Sequence, residues 1–342
     1  MSNDNADDDR GGEITPNEKE FTSCEQNDTD AITENFNSMA ILDSISICAS
    51  CSKEGNSDDM NTCNKCKSVK YCNAACKKKH RTKHKKKCDR RVAELHDEKL
   101  FEQPTPEEDC PICMIRLPSL ISGKTYMACC GKLICNGCIN AFQSRITRKK
   151  DDVCPFCRTL TPESVEKGFK RYKKRMELND PIAIHATGLF YYLGENGYPQ
   201  DYTKAFELWH QAAELGYSLA YYNIGRLYMK GEGVEKDAQR AVYYFELAAI
   251  GGEAEARWYL GALEEEMGTM DRALKHYKIG VECGDQYSLK KIQELYMNRQ
   301  ATKDDYEIAL RTYQAYLDEI RSEQRDEAVA FREQYRYYES AL

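Results

Sequence analysis

No run of about 18 apolar residues occurs in the 342-residue sequence, so no membrane-spanning helix is expected. The opening "MSNDNADDDR" lacks the basic segment and the apolar stretch of a secretory signal. An intracellular protein of cytoplasm or nucleus is expected, not a secreted one. Positive charge is also short: 49 Lys and Arg stand against 56 Asp and Glu, a net charge of −7. The basic balance of a nucleic-acid binder is therefore missing, and nucleic acid is not an expected partner. Residues 1–47 are poor in aromatics and rich in Asp, Glu, Asn, Ser and Thr. Such a segment buries too little apolar surface to offset ordering and reads as a disordered acidic tail.

Cysteine, by contrast, is abundant. Seventeen are present, and all but Cys24 and Cys283 fall between Cys48 and Cys157. In a reducing compartment that number argues for metal rather than disulfides. Cys-x-x-Cys recurs at 48/51, 63/66, 110/113, 135/138 and 154/157. A redox dithiol would need a βαβ setting, which the sequence around these pairs does not offer.

The first block reads Cys48-x2-Cys51-x11-Cys63-x2-Cys66-x5-Cys72-x3-Cys76-x7-His84-x3-Cys88. Eight thiols and imidazoles suffice for two tetrahedral zinc sites. Cys72/Cys76 and His84/Cys88 are i,i+4 pairs, which share a face on a helix and can chelate. The spacing and the Tyr71-Cys72 pair resemble a MYND zinc finger across the whole block. That resemblance implies an interleaved set: Cys48, Cys51, Cys72 and Cys76 on one zinc, and Cys63, Cys66, His84 and Cys88 on a second. It also implies binding of proline-containing peptides of partner proteins. His80, four residues from both Cys76 and His84, stays open as a competing ligand. Arg81 stands where the family has tryptophan. The run "KKKHRTKHKKK" is consistent with a nucleic-acid or nuclear-import segment, but it carries no aromatics for base stacking. A solvated cationic face that offsets the negative zinc–thiolate sites is the favoured reading.

The second block reads Cys110-x2-Cys113-x15-Cys129-Cys130-x4-Cys135-x2-Cys138-x15-Cys154-x2-Cys157. It resembles an all-cysteine variant of the RING finger. Lys132 stands where that family has a histidine, and an ammonium has no lone pair for zinc. Counting both Cys129 and Cys130 restores eight ligands. The resemblance then implies a cross-brace: Cys110, Cys113, Cys135 and Cys138 on a third zinc, and Cys129, Cys130, Cys154 and Cys157 on a fourth. Adjacent ligands are sterically tight, so three ligands plus an outside group remain the alternative. The same resemblance implies that Ile112, Phe142, Pro155 and Arg158 contact a ubiquitin-conjugating enzyme. A bland alternative is that Ile112 and Pro155 only pack the zinc loops.

From about residue 180 the chain repeats. Gly188, Gly225 and Gly261 recur 37 and then 36 residues apart, as do Ala205 and Ala241, and the Ala212-Ala213 and Ala248-Ala249 pairs. Paired amphipathic helices at such a period predict an α-solenoid, with Trp209, Phe245 and Tyr277 filling between helices and glycines ending helices or permitting turns. The loop from Gly231 to Ala241 resembles the Sel-one-like branch of the tetratricopeptide superfamily. Solenoids present concave surfaces to protein partners.

The expected fold is mostly α, with two zinc-stabilised modules ahead of a helical stack. The expected map is an acidic tail (1–47), a MYND-type finger (48–88), a linker (89–109), a RING-type finger (110–158) and a connecting helix (159–179). Sel-one-like repeats (180–320), three plus a degenerate fourth, and a C-terminal capping helix (321–342) follow. No reactive cysteine with an adjacent base is evident outside the zinc blocks, since Cys24 lies in the tail and Cys283 in a solenoid helix. Two functions follow as expectations. One is a ubiquitin ligase of the RING type, which acts by positioning without a covalent intermediate; conjugating enzyme docks on the RING, and substrates on the concave face and finger. The other is a non-catalytic zinc-dependent scaffold. Four zinc ions per chain are expected in either case.

Overall fold

A computed structural model describes residues 45–145, 152–195 and 197–338. The tail before residue 45, with Cys24, lies outside the described residues. The chain divides into two compact units, Met1–Glu94 and Leu95–Leu342.

In the first unit, β1 (Ile45–Ile47) pairs antiparallel with β2 (Glu54–Asn56), and β3 (Asn61–Thr62) with β4 (Lys70–Tyr71). The tail expected over 1–47 thus ends in three residues of paired strand. Helix α1 (Ala74–Leu100) follows, its last six residues belonging to the second unit. Asn73 starts it, its side-chain oxygen accepting the Cys76 N–H at 2.8 Å. The core here is Met60, Tyr71 and four cysteines, Cys48, Cys63, Cys66 and Cys88. Almost nothing apolar supports it besides the ligand side chains themselves.

The second unit opens with the end of α1 and an extended segment. The carbonyl of Leu100, itself in the repeat core, accepts a hydrogen bond from the fully buried Arg257. Strands β5 (Lys124–Met127) and β6 (Lys132–Cys135) form a hairpin that pairs Met127 with Lys132, and α2 (Asn136–Gln143) follows. Ser164 caps α3 (Val165–Glu177) by accepting the Lys167 N–H.

The repeats are antiparallel pairs: α4 (Pro181–Leu193) with α5 (Tyr202–Glu214), and α6 (Ser218–Lys230) with α7 (Ala238–Ile250). After them come α8 (Ala254–Glu266) with α9 (Met270–Glu282), and α10 (Gln286–Met297) with α11 (Lys303–Ile320). The fourth unit, of which only the second helix is legible in sequence, has both. Gly188, Gly225 and Gly261 do not end helices; they lie inside α4, α6 and α8. A Cβ there would come within 2.6 Å of Trp209, 2.7 Å of Phe245 and 2.5 Å of Tyr277. Their absent side chains let each partner ring lie against backbone. Helix ends fall instead to Gly194 and Gly231, at φ 70° and 78°, the left-handed cap that glycine adopts without strain.

The C-terminal helix α12 (Glu323–Phe331) packs against α2 of the second cysteine block, not only against the last repeat. A Cβ on Gly137 would lie 2.8 Å from the Arg325 backbone nitrogen. Residues 339–342 lie outside the described residues. No helix among the described residues is long and apolar enough to cross a membrane.

Candidate metal centres

In the first unit, the ligand atoms of Cys48, Cys51, Cys72 and Cys76 lie within 4.8 Å of one another, and so do those of Cys63, Cys66, His84 and Cys88. The interleaving arises because the two hairpins carry the first pair of each set, while α1 supplies Cys76, His84 and Cys88; Cys72 lies between β4 and α1, ahead of the helix expected to carry it with Cys76. Sγ–Sγ separations are 3.7 Å for Cys51–Cys72, 3.5 Å for Cys72–Cys76 and 3.8 Å for Cys63–Cys88. The Nε2 of His84 lies 3.2 Å from the Cys66 Sγ. His80 is placed elsewhere: its Nδ1 is 3.3 Å from the Tyr71 hydroxyl, and its ring stacks on His84. It holds the outside of the cluster rather than joining it.

The second block repeats the arrangement. Cys110, Cys113, Cys135 and Cys138 form one group within 4.8 Å, and Cys129, Cys130, Cys154 and Cys157 another. The adjacent thiols meet different partners: Cys129 and Cys157 are 3.4 Å apart, Cys130 and Cys154 4.0 Å. The hairpin turn makes this possible. Both the Cys130 and Gly131 N–H groups donate to the Met127 carbonyl, and Gly131 takes φ 71°. Lys132 is exposed on β6, opposite Met127.

These donor sets fit zinc. Tetrahedral Zn–S bonds of about 2.3 Å set sulfurs about 3.8 Å apart, far longer than the roughly 2.05 Å of a disulfide. The measured separations of 3.4 to 4.0 Å bracket the first value. Titration points the same way. A backbone N–H of Cys72 draws the Cys48 thiol down to about 6, while the neighbouring Cys76 thiol pushes Cys72 up to about 12. Four thiolates cannot all ionise at this spacing without a cation among them. With four protein donors in each group, no coordination position remains for a reactive water.

The residues expected to meet a conjugating enzyme lie on the surface of the second block. Ile112 is 40% exposed, Pro155 and Phe142 are partly buried, and Arg158 is exposed. The structure brings Arg158 and Phe142 together, the guanidinium lying 4.8 Å from the ring centroid. Cys283 is part-buried, and burial pushes its thiol up to about 12, which disfavours a nucleophile.

Two contacts escaped the sequence. Arg325, almost fully buried, donates to the carbonyls of Arg116 at 2.8 Å, Ile115 at 3.2 Å and Ile320 at 2.5 Å, and its Nη2 lies 4.0 Å from the Cys113 Sγ. Asp180 caps α4 and also accepts from Tyr126 at 2.7 Å and from Arg175, tying the second block to the first repeat. The contacts of Arg325 with Arg116 and Ile115, and of Asp180 with Tyr126, join residues distant in sequence and follow no motif.

Residues 48–88 match the family model of the MYND finger, and residues 181–217 and 218–253 match that of the Sel1 repeat. The chain carries a MYND finger and Sel1 repeats. The MYND finger is a zinc-binding module, and its combination with Sel1 repeats supports a zinc-binding protein-interaction role. The chain is 34% identical over 99 residues to the ERAD-associated E3 ubiquitin-protein ligase component HRD3B of Arabidopsis thaliana, covering 29% of this chain and 15% of that protein. It is 32% identical over 92 residues to chitin synthase regulatory factor 3 of Schizosaccharomyces pombe, covering 27% of this chain and 10% of that one. The chain thus spans less than a sixth of either relative. Among solved structures, a Sel1 repeat protein from Oxalobacter formigenes is 31% identical at TM-score 0.41, with 47% of this chain and 67% of that one covered. A protective antigen of uropathogenic Escherichia coli with an SLR fold is 24% identical at TM-score 0.40, with 46% and 35% covered.

Proposed function

We propose that the protein is a ubiquitin ligase of the RING type. The four cysteine groups would hold four zinc ions: Cys48, Cys51, Cys72 and Cys76; Cys63, Cys66, His84 and Cys88; Cys110, Cys113, Cys135 and Cys138; and Cys129, Cys130, Cys154 and Cys157. Zinc in such closed sites supplies folding energy and no reacting group. The observation that carries the reading is Arg158 over Phe142, on a block that also exposes Ile112. A planar guanidinium at that place reaches carbonyls of two partners at once. Ile112, Phe142 and Pro155 offer the conjugating enzyme an apolar footing. Catalysis then consists in restraining a charged enzyme for attack by a substrate lysine. The concave face of the repeats selects substrates, and the MYND finger binds proline-containing peptides.

A second reading, an adaptor without catalysis, is favoured by the names of the relatives, a ligase "component" and a "regulatory factor". Purified protein, activating enzyme, ubiquitin and a panel of conjugating enzymes decide between them. Chain formation that Ile112→Ala and Arg158→Ala each abolish, with zinc content intact, supports the ligase. Silence across the panel supports the adaptor.

A further inference from the structure

The basic run lies on α1. A groove of about 670 Å³ opens along this helix in the first unit, and Lys65, Lys77, Lys78, Arg81 and Lys85 line it against a single acid, Asp89. Lys77, Arg81 and Lys85 follow at i, i+4 and i+8 and so form one stripe. The stripe is about 12 Å long at 1.5 Å per residue, the length of about four residues of extended chain. The opposite wall is fixed, because Lys77 donates to the Thr62 carbonyl at 3.4 Å and to Asn64 Oδ1 at 2.9 Å. Buried Tyr71 also lines the groove, as do Cys63, His84 and Cys88 of the second metal group.

From this placement we infer that the groove takes an extended acidic peptide of a partner protein, with three or four Asp or Glu within about four residues. The inference rests on the reading of residues 48–88 as a peptide-binding finger and names the chemistry of its ligand. Carboxylates spaced along an extended chain match cations spaced along the helix, each pair a charge-assisted hydrogen bond. A nucleic-acid strand fits less well. The aromatic rings in the groove, Tyr71 and His84, are 1% and 6% exposed and present no face for base stacking.

The test uses full-length protein and fluorescence anisotropy with labelled hexaglutamate, hexalysine, a proline-rich peptide and a single-stranded hexanucleotide. Hexaglutamate is expected to bind and to weaken steeply with salt, hexalysine not to bind, and Lys78→Glu/Arg81→Glu to weaken hexaglutamate at least tenfold with zinc content unchanged. Should that double variant lose zinc, Lys65→Glu, outside the helix, replaces it and is expected to weaken binding several-fold. Equal or tighter binding of the hexanucleotide overturns the proposal, as does hexaglutamate binding that ignores the charge reversals. So does a more than tenfold gain on removing residues 1–40, which would mean that the chain's own acidic segment holds the groove. A proline-rich peptide that binds where hexaglutamate does not would refute the acidic ligand and leave the peptide-finger reading standing. Failure of both peptides would remove both.

Discussion

Cys129 and Cys130 show how much a single turn residue decides. Neighbouring side chains on an extended strand point to opposite faces, so adjacent thiols can share one cluster only where the chain bends between them. Gly131 at φ 71° and the paired N–H donation to Met127 supply that bend. If both thiols hold metal, Cys130→Ser lowers bound zinc by one per chain by elemental analysis, and Lys132→Ala leaves it unchanged. Unchanged zinc in Cys130→Ser would instead point to a three-ligand site completed from outside. A second residue, His185, sets a pH dependence. Burial holds its imidazole down at about 3, and Asn223 donates to its Nε2 at 2.7 Å. The unfolded chain takes up a proton near pH 6.5 that the folded chain refuses. Stability is therefore complete above that pH and falls as pH drops below it, by about 1.4 kcal/mol per unit. His185→Gln keeps an acceptor for Asn223 and removes the titration. Between pH 7 and pH 5 the natural protein should lose about 2 kcal/mol more than this variant in urea unfolding; matching losses would refute the assignment.

Among the elements, α12 has a role that its sequence hides. Glu323–Phe331 reads as a short polar helix at the chain's end, suited to capping a stack. Its Arg325 instead satisfies carbonyls of the first cysteine loop of the second block, more than 200 residues away, and Tyr337 beyond it closes over Gly123. Arg325→Leu leaves the Ile115 and Arg116 carbonyls without this donor, at a cost of about 3 kcal/mol. Hydrogen exchange should then speed up in α2 and in β5–β6, and a chelator should strip the second block faster than the first. Unaltered exchange in α2 would show that α12 is a passenger. The contrast with the repeats is instructive. Their helix pairing was legible, because the Ala212-Ala213 and Ala248-Ala249 pairs recur with the large rings Trp209, Phe245 and Tyr277 at a period that only a stack explains. The metal-type groups were legible only in part: spacing showed that each block has eight possible ligands, and which of them would converge came from the resemblance to the two finger families. The mid-helix place of Gly188, Gly225 and Gly261 was not, since glycine marks close approach and helix ends with the same letter. Nor was the anchoring of Leu100 by Arg257 or of Cys113 by Arg325, which depends on tertiary placement that leaves no periodic trace.

Over the whole molecule, stability divides unevenly between the two units. In the first, the buried core is four cysteines with Met60 and Tyr71, so removing metal removes most of what holds the strands to α1. The second unit has a continuous apolar core of its own, running from Leu100 and Ile184 through Trp209, Phe245 and Leu260. A second apolar cluster, from Ala273 to Tyr313, completes it. Its cysteine block adds Leu117, Ile134 and Ile139 to the thiols and is further braced by Ser119 on Tyr316 at 2.8 Å and Arg116 on Glu319 at 2.6 Å. Chelation with phenanthroline should therefore act in steps. Amides of residues 45–88 should lose protection first, those of β5, β6 and α2 next, and those of α4 to α9 should keep theirs, read by hydrogen exchange and mass spectrometry at neutral pH. Far-UV helicity should fall modestly, because the repeat helices persist without metal. Collapse of protection across α4 to α9 at the same chelator concentration would show that the repeats draw their stability from the metal centres, contrary to the independent core that Ile224, Phe245 and Ala249 form.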